Sequence, residues 1–165
     1  MALPIFNLKI NKTKSLVTLV KNAIKGGDNY FFRNLWANLD GGEEVDILQD
    51  GKNSCAVFVS WILLVLELIK HPHASVDGTI KDMIESGWIE TDDLRPGAVV
   101  SYEKLSAKDD LLGVAGVMHG HIGFYIGNDR VISNSSKTTG FPSEHHVTYN
   151  DTRKIEKIYW NSILS

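Results

Sequence analysis

The sequence predicts an α+β fold, with helices in the N-terminal half packed on a C-terminal antiparallel sheet, and three observations carry that prediction. Up to about residue 86 the apolar residues recur at helical spacing, whereas beyond Arg95-Pro96-Gly97 they fall in short runs of strand character separated by turn residues. Helices first and strands second describe α+β rather than an alternating α/β chain. Within the helical part lies Asn53 to Lys70, where only Ser60 and Glu67 interrupt the apolar run from Ala56 to Ile69. A helix without a polar stripe belongs inside a core, so this segment is expected to be the buried central helix. At 165 residues the chain suits one domain over 1–165, with a helical N-terminal part at 1–50 and the central helix and sheet at 51–165.

The elements follow in order. Leu16, Leu19, Val20, Ala23 and Ile24 share one face of a helix from Thr13 to Lys25, stopped by Gly26-Gly27. Phe31, Leu35, Trp36 and Leu39 suggest a second helix from Asp28 to Leu39, its aromatic residues serving as core. Glu43 to Lys52 is acidic, contains Asp50-Gly51 and reads as a loop delivering the chain to the central helix. Asn53 and Ser54 are natural caps for that helix. His71-Pro72-His73 breaks the chain, and Val76 to Ser86 forms a short helix stopped by Gly87. Strands are expected at Ala98–Tyr102, His121–Ile126, Arg130–Ser135, His145–Tyr149 and Ile155–Trp160, with Asn128-Asp129 at the tip of a tight hairpin. The long connection from Glu103 to Gly120 is expected to be a flap or an interaction loop.

Composition excludes several classes of function. With 17 Lys and Arg against 20 Asp and Glu, the net charge is −3 and no dense basic block occurs, so nucleic acid is not an expected partner. The N-terminal residues are broken by Pro4, Asn7 and Lys9 and do not read as a signal peptide, which suggests a cytoplasmic chain or export by a route not encoded there. The run after Cys55 is shorter than the roughly 20 residues a membrane span requires. The six histidines fall in three pairs, at 71 and 73, 119 and 121, and 145 and 146, but without the cysteine pairs or His-Glu-x-x-His spacing of a metal site. The glycine-rich spots lack the context of a phosphate loop, so no cofactor is expected. Trp88 and Trp160 fit either cleft walls or edge packing.

What remains is nucleophilic chemistry. Cys55, the sole cysteine, opens the central helix, where unpaired N–H groups and the positive end of the helix dipole favour thiolate. A lone cysteine on an apolar helix is most often a small hydrophobe; a base within reach is what distinguishes a nucleophile. His121 opens the strand His-Ile-Gly-Phe-Tyr-Ile-Gly with glycines on either side and is the candidate base. A two-residue loop at Asn128-Asp129 would oppose His121 to Ser136 and Gly123 to Asn134, placing Asn134 diagonally beside His121 as the residue that orients it. A three-residue loop would put Ser133 there instead, and His145 or His146 is a further substitute.

Asn-Ser-Cys-Ala-Val-Phe-Val at 53–59, Leu-Arg-Pro-Gly-Ala-Val-Val at 94–100 and Gly-His-Ile-Gly-Phe-Tyr-Ile-Gly-Asn at 120–128 together resemble the NlpC/P60 and CHAP papain-like cysteine hydrolases over most of residues 50–136. The resemblance implies a papain-like fold with Cys55 as nucleophile, His121 as base, Asn134 as the orienting residue and the Cys55 N–H in the oxyanion hole. It also implies cleavage of an amide or peptide bond through an acyl-enzyme, with a peptide or cell-wall peptide of peptidoglycan as substrate. Two other functions suit the same residues: a catalytically silent binding or structural module on this fold, and a transacylase using the same Cys-His pair.

Overall fold

The computed structural model describes residues 12–25, 30–38, 40–106, 118–134 and 140–164. Within these the protein is α+β, with three α-helices and an antiparallel sheet. The helices are α1 (Lys12–Asn22), α2 (Cys55–Val65) and α3 (Val76–Glu85). A small sheet pairs β1 (Trp36–Asn38) with β2 (Glu44–Asp46). The main sheet contains β3 (Trp88–Thr91), β4 (Val99–Ser106), β5 (Met118–Gly127), β6 (Arg130–Asn134), β7 (Pro142–His146) and β8 (Ile155–Asn161). Its strands lie in the order β3-β8-β4-β5-β6-β7. No helix among the described residues is long and apolar enough to cross a membrane.

α2 lies against β5 and β6 and supplies much of the core, with Ala56, Val57, Phe58, Val59, Ile62 and Leu63 buried. Phe58 stands edge-on between Phe32 and Phe124, with ring centroids 5.3 and 5.7 Å away. The one buried polar side chain of the helix is fully used: Ser60 Oγ accepts from the His73 N–H at 2.9 Å and lies 3.1 Å from the His73 carbonyl. α2 stops short of the expected Lys70 because the chain turns through Glu67 at φ 55, with Leu68 N–H on Leu63 C=O and Glu67 N–H on Leu64 C=O. This closure leaves Leu68 and Ile69 buried outside the helix, so their hydrophobicity serves the core rather than helix length.

The 28–39 stretch departs from expectation. In place of a second N-terminal helix, Tyr30–Phe32 makes one 3-10 turn and Trp36–Asn38 is a strand; Leu39 lies outside the described residues. The competing force is Asp46, whose carboxylate accepts from Leu35 N–H, Leu48 N–H, Asp50 N–H and the Asn34 amide. Burial opposes that charge, but these donors outweigh it and hold the Asp46 carboxyl below its ordinary value. The chain is thereby folded into a polar loop, and the aromatic stripe is split: Phe32 is buried while Phe31 and Trp36 are exposed. The strand Trp88–Thr91 also goes beyond the sequence reading, which ended an element at Gly87. Trp88 is buried and donates to Leu68 C=O, and Trp160 packs under Arg95, so both rings are packing groups. The expected flap from Glu103 to Gly120 is strand at both ends, Glu103–Ser106 belonging to β4 and Met118–Gly120 to β5, and residues 107–117 lie outside the described residues.

A second knot holds the α2–α3 connection. Asp82 accepts from Lys70 N–H, His71 N–H, Ser86 Oγ and the His73 ring. Burial works against its charge, yet these bonds bring the Asp82 carboxyl down to about 2.

Candidate functional site

The site grows from the hairpin joining β5 and β6. Asn128 and Asp129 occupy the turn at φ 53 and 56, and Gly127 pairs with Arg130, so the loop has the two residues expected. Between Tyr125 and Gly127, however, the register shifts by one at Ile126. Upstream of that bulge Phe124 pairs with Ile132, and continuing this register brings Ser133, not Asn134, opposite Gly123. An added Cβ on Gly123 would lie 2.8 Å from Ser133 Cβ, so the absence of a side chain there lets the strands meet.

The shift corrects the expected partner of His121. Ser133 Oγ lies 2.8 Å from His121 Nε2, whereas the Asn134 amide points away and donates to Gly51 C=O at 2.8 Å. Asn134 instead anchors the loop that leads into Cys55. Gly51 there passes so close to Gly140 that an added Cβ would sit 1.9 Å from the Gly140 carbonyl oxygen.

One face of the sheet therefore carries a polar row across four adjacent strands. Tyr102 on β4 is paired directly with His121 on β5, Ser133 on β6 is diagonal to His121, and His145 on β7 pairs with Val131 one step from Ser133. Ser133 Oγ is the centre, 2.8 Å from His145 Nε2 and 3.1 Å from the Tyr149 hydroxyl. The Tyr149 hydroxyl also reaches His121 Nε2 at 2.7 Å, and its ring is stacked on His145 at 3.8 Å. His145 Nδ1 is 2.8 Å from the His146 carbonyl oxygen. Sequence reasoning named Ser133 and His145 only as substitutes for Asn134 and missed Tyr149, which follows β7 in a left-handed turn at φ 52. The signal for Tyr149 was weak, because its place depends on a turn beyond the strand end.

Cys55 opens α2 as expected, and its side chain is only partly exposed. Ser54 stands at the cap position, but its side chain makes no capping bond. The thiol is served by backbone groups of Ile122, Ala56 and Cys55 itself; Ile122 directly follows His121. The helix N-terminus thus faces the sulfur as the sequence implied. Removal from water nevertheless outweighs these bonds and the Arg153 charge, and the thiol is pushed up, not down. Burial likewise takes His121 well below its ordinary value, helped by the charge of Arg153 and by His145. Arg153 belongs to the same neighbourhood, its guanidinium 5.8 Å from the Tyr102 ring centroid and donating to Glu103 C=O. At neutral pH the thiol and the imidazole are therefore both uncharged.

No group of three or more metal-binding side chains is assembled among the described residues. No protein-family model matches the chain, and no curated protein sequence matches it either.

Proposed function

We propose that the protein is a papain-like cysteine hydrolase of the NlpC/P60 and CHAP type, acting on an amide or peptide bond. The observation that carries this reading is the join between helix and strand: the thiol of the first residue of α2 lies where the backbone of Ile122, next to His121, favours its thiolate, and the His121 ring is bonded to Ser133 and Tyr149. In this reading Cys55 Sγ attacks the carbonyl carbon while the imidazole of His121 takes the thiol proton, the two moving together because the resting pair is neutral. The Cys55 N–H receives the developing oxyanion. His121 returns the proton to the leaving amine, leaving a thioester, and then removes a proton from the water that releases the acid and the free thiol. Ser133 takes the orienting role first assigned to Asn134. A peptidoglycan peptide is the substrate proposed from the resemblance.

The raised thiol favours a second reading, a catalytically silent module on the same fold. Iodoacetamide labelling of the native protein separates the two. For a hydrolase, labelling of Cys55 at neutral pH slows by roughly 100-fold in His121→Ala, the lower end of what a positioned base contributes. Equal labelling rates in the wild type and a folded His121→Ala protein would leave the silent module.

A further inference from the structure

We propose that His145 is a positioning residue for this reaction, setting the tautomer of His121 through Ser133; the inference rests on the Cys55–His121 reading above. The argument is a proton count. The His146 carbonyl can only accept, so His145 Nδ1, at 2.8 Å from it, must carry the proton. Neutral His145 then presents Nε2 as an acceptor, and Ser133 Oγ is the hydroxyl 2.8 Å away that donates to it. With its only proton so committed, Ser133 must accept from His121 Nε2 at 2.8 Å, which places the second imidazole's proton on Nε2. The Tyr149 hydroxyl, kept protonated by burial that raises it to about 12, donates to Ser133 and accepts a share of the same His121 N–H.

Four protons then serve all five contacts of the cluster, that of His121 Nε2 being shared between Ser133 and Tyr149. The opposite arrangement, with His121 Nε2 bare and Tyr149 donating to it, would set unshared oxygen and nitrogen lone pairs against each other at 2.8 Å across Ser133–His121. It would also leave the Ser133–Tyr149 contact at 3.1 Å without a proton. A backbone carbonyl thus dictates, through two side chains, that His121 Nδ1 is the nitrogen left free to take a proton.

The experiment is nitrogen-15 NMR of the imidazoles at neutral pH, read together with labelling of Cys55. In the wild type His145 is expected as the Nδ1–H tautomer and His121 as the Nε2–H tautomer. His145→Phe keeps a ring to stack on Tyr149 but frees the Ser133 proton for His121 Nε2. It is expected to move His121 toward the Nδ1–H form and to slow labelling about five- to tenfold, the worth of roughly one hydrogen bond. His145→Gln, whose carboxamide can both accept from Ser133 and donate to the carbonyl, is expected to restore both. An Nδ1–H tautomer for His121 in the wild type, or an unchanged tautomer and rate in His145→Phe, would overturn the inference. Labelling that ignores His121→Ala, with the tautomers as assigned, would overturn the hydrolase reading instead.

Discussion

Acid should weaken this protein well before its carboxylates titrate, because two imidazoles of the site, buried His121 and part-buried His145, stand uncharged. Burial is the main cause for His145, opposed by its bond to the His146 carbonyl and aided by the charges of Arg130 and Arg153, and it brings the ring down to about 4. An unfolded histidine titrates near 6.5. Because the folded value is the lower one, the unfolded chain binds the proton first as pH falls, so stability is full above about 6.5 and is lost on the way down to about 4. Integrating between pH 7 and about 4.5 gives a loss of about 2 kcal/mol from His145 alone. His121, also depressed, adds to it in the same direction. For a domain whose total stability is about 5–15 kcal/mol, that is readily measured. Urea unfolding at half-unit steps from pH 7 to 4.5 gives the slope, and His145→Phe, which removes one of the titrating groups, should flatten it. A slope near zero in the wild type, or one unchanged in the variant, would refute the view that burial holds these rings neutral.

Three further outcomes follow from the geometry. Gly123→Ala places a methyl 2.8 Å from both Ser133 Cβ and Val131 Cγ1 and 2.9 Å from the Ile132 carbonyl oxygen, and is expected to cost about 2–3 kcal/mol in urea unfolding; a neutral result would remove the close approach as a requirement. Glu67→Gly relieves a left-handed residue at the end of α2 and is expected to add about 1 kcal/mol, raising Tm by about 2–4 °C in a thermal melt; a lowered Tm would refute it. Asp82→Asn takes the charged acceptor from four donors and is expected to cost about 2–3 kcal/mol at pH 7. Since the Asp82 carboxyl stands at about 2 when folded, that variant should also lose part of the stability decline between about pH 4 and 2; an unchanged decline would show that Asp82 is not its source.

The sequence by itself determined the class of the fold and the placing of Cys55 at the start of α2 and of His121 on a strand, although that strand begins at Met118 rather than at His121. Periodicity is a local property, so the apolar run after Cys55, the amphipathic helices near residues 13 and 76 and the strands around 100, 122, 132 and 157 were all legible. The tight turn at Asn128-Asp129 was legible too, because those residue types tolerate the positive φ it requires. Other features were decided only by tertiary structure, since they depend on groups far apart in the chain. Asp46 overrode a helical aromatic pattern by gathering donors from Asn34, Leu35, Leu48 and Asp50. Desolvation overrode the helix dipole at Cys55. One bulged residue, Ile126, exchanged Asn134 for Ser133 beside His121, and strand register has a period of two, so a single extra residue turns every later side chain to the other face.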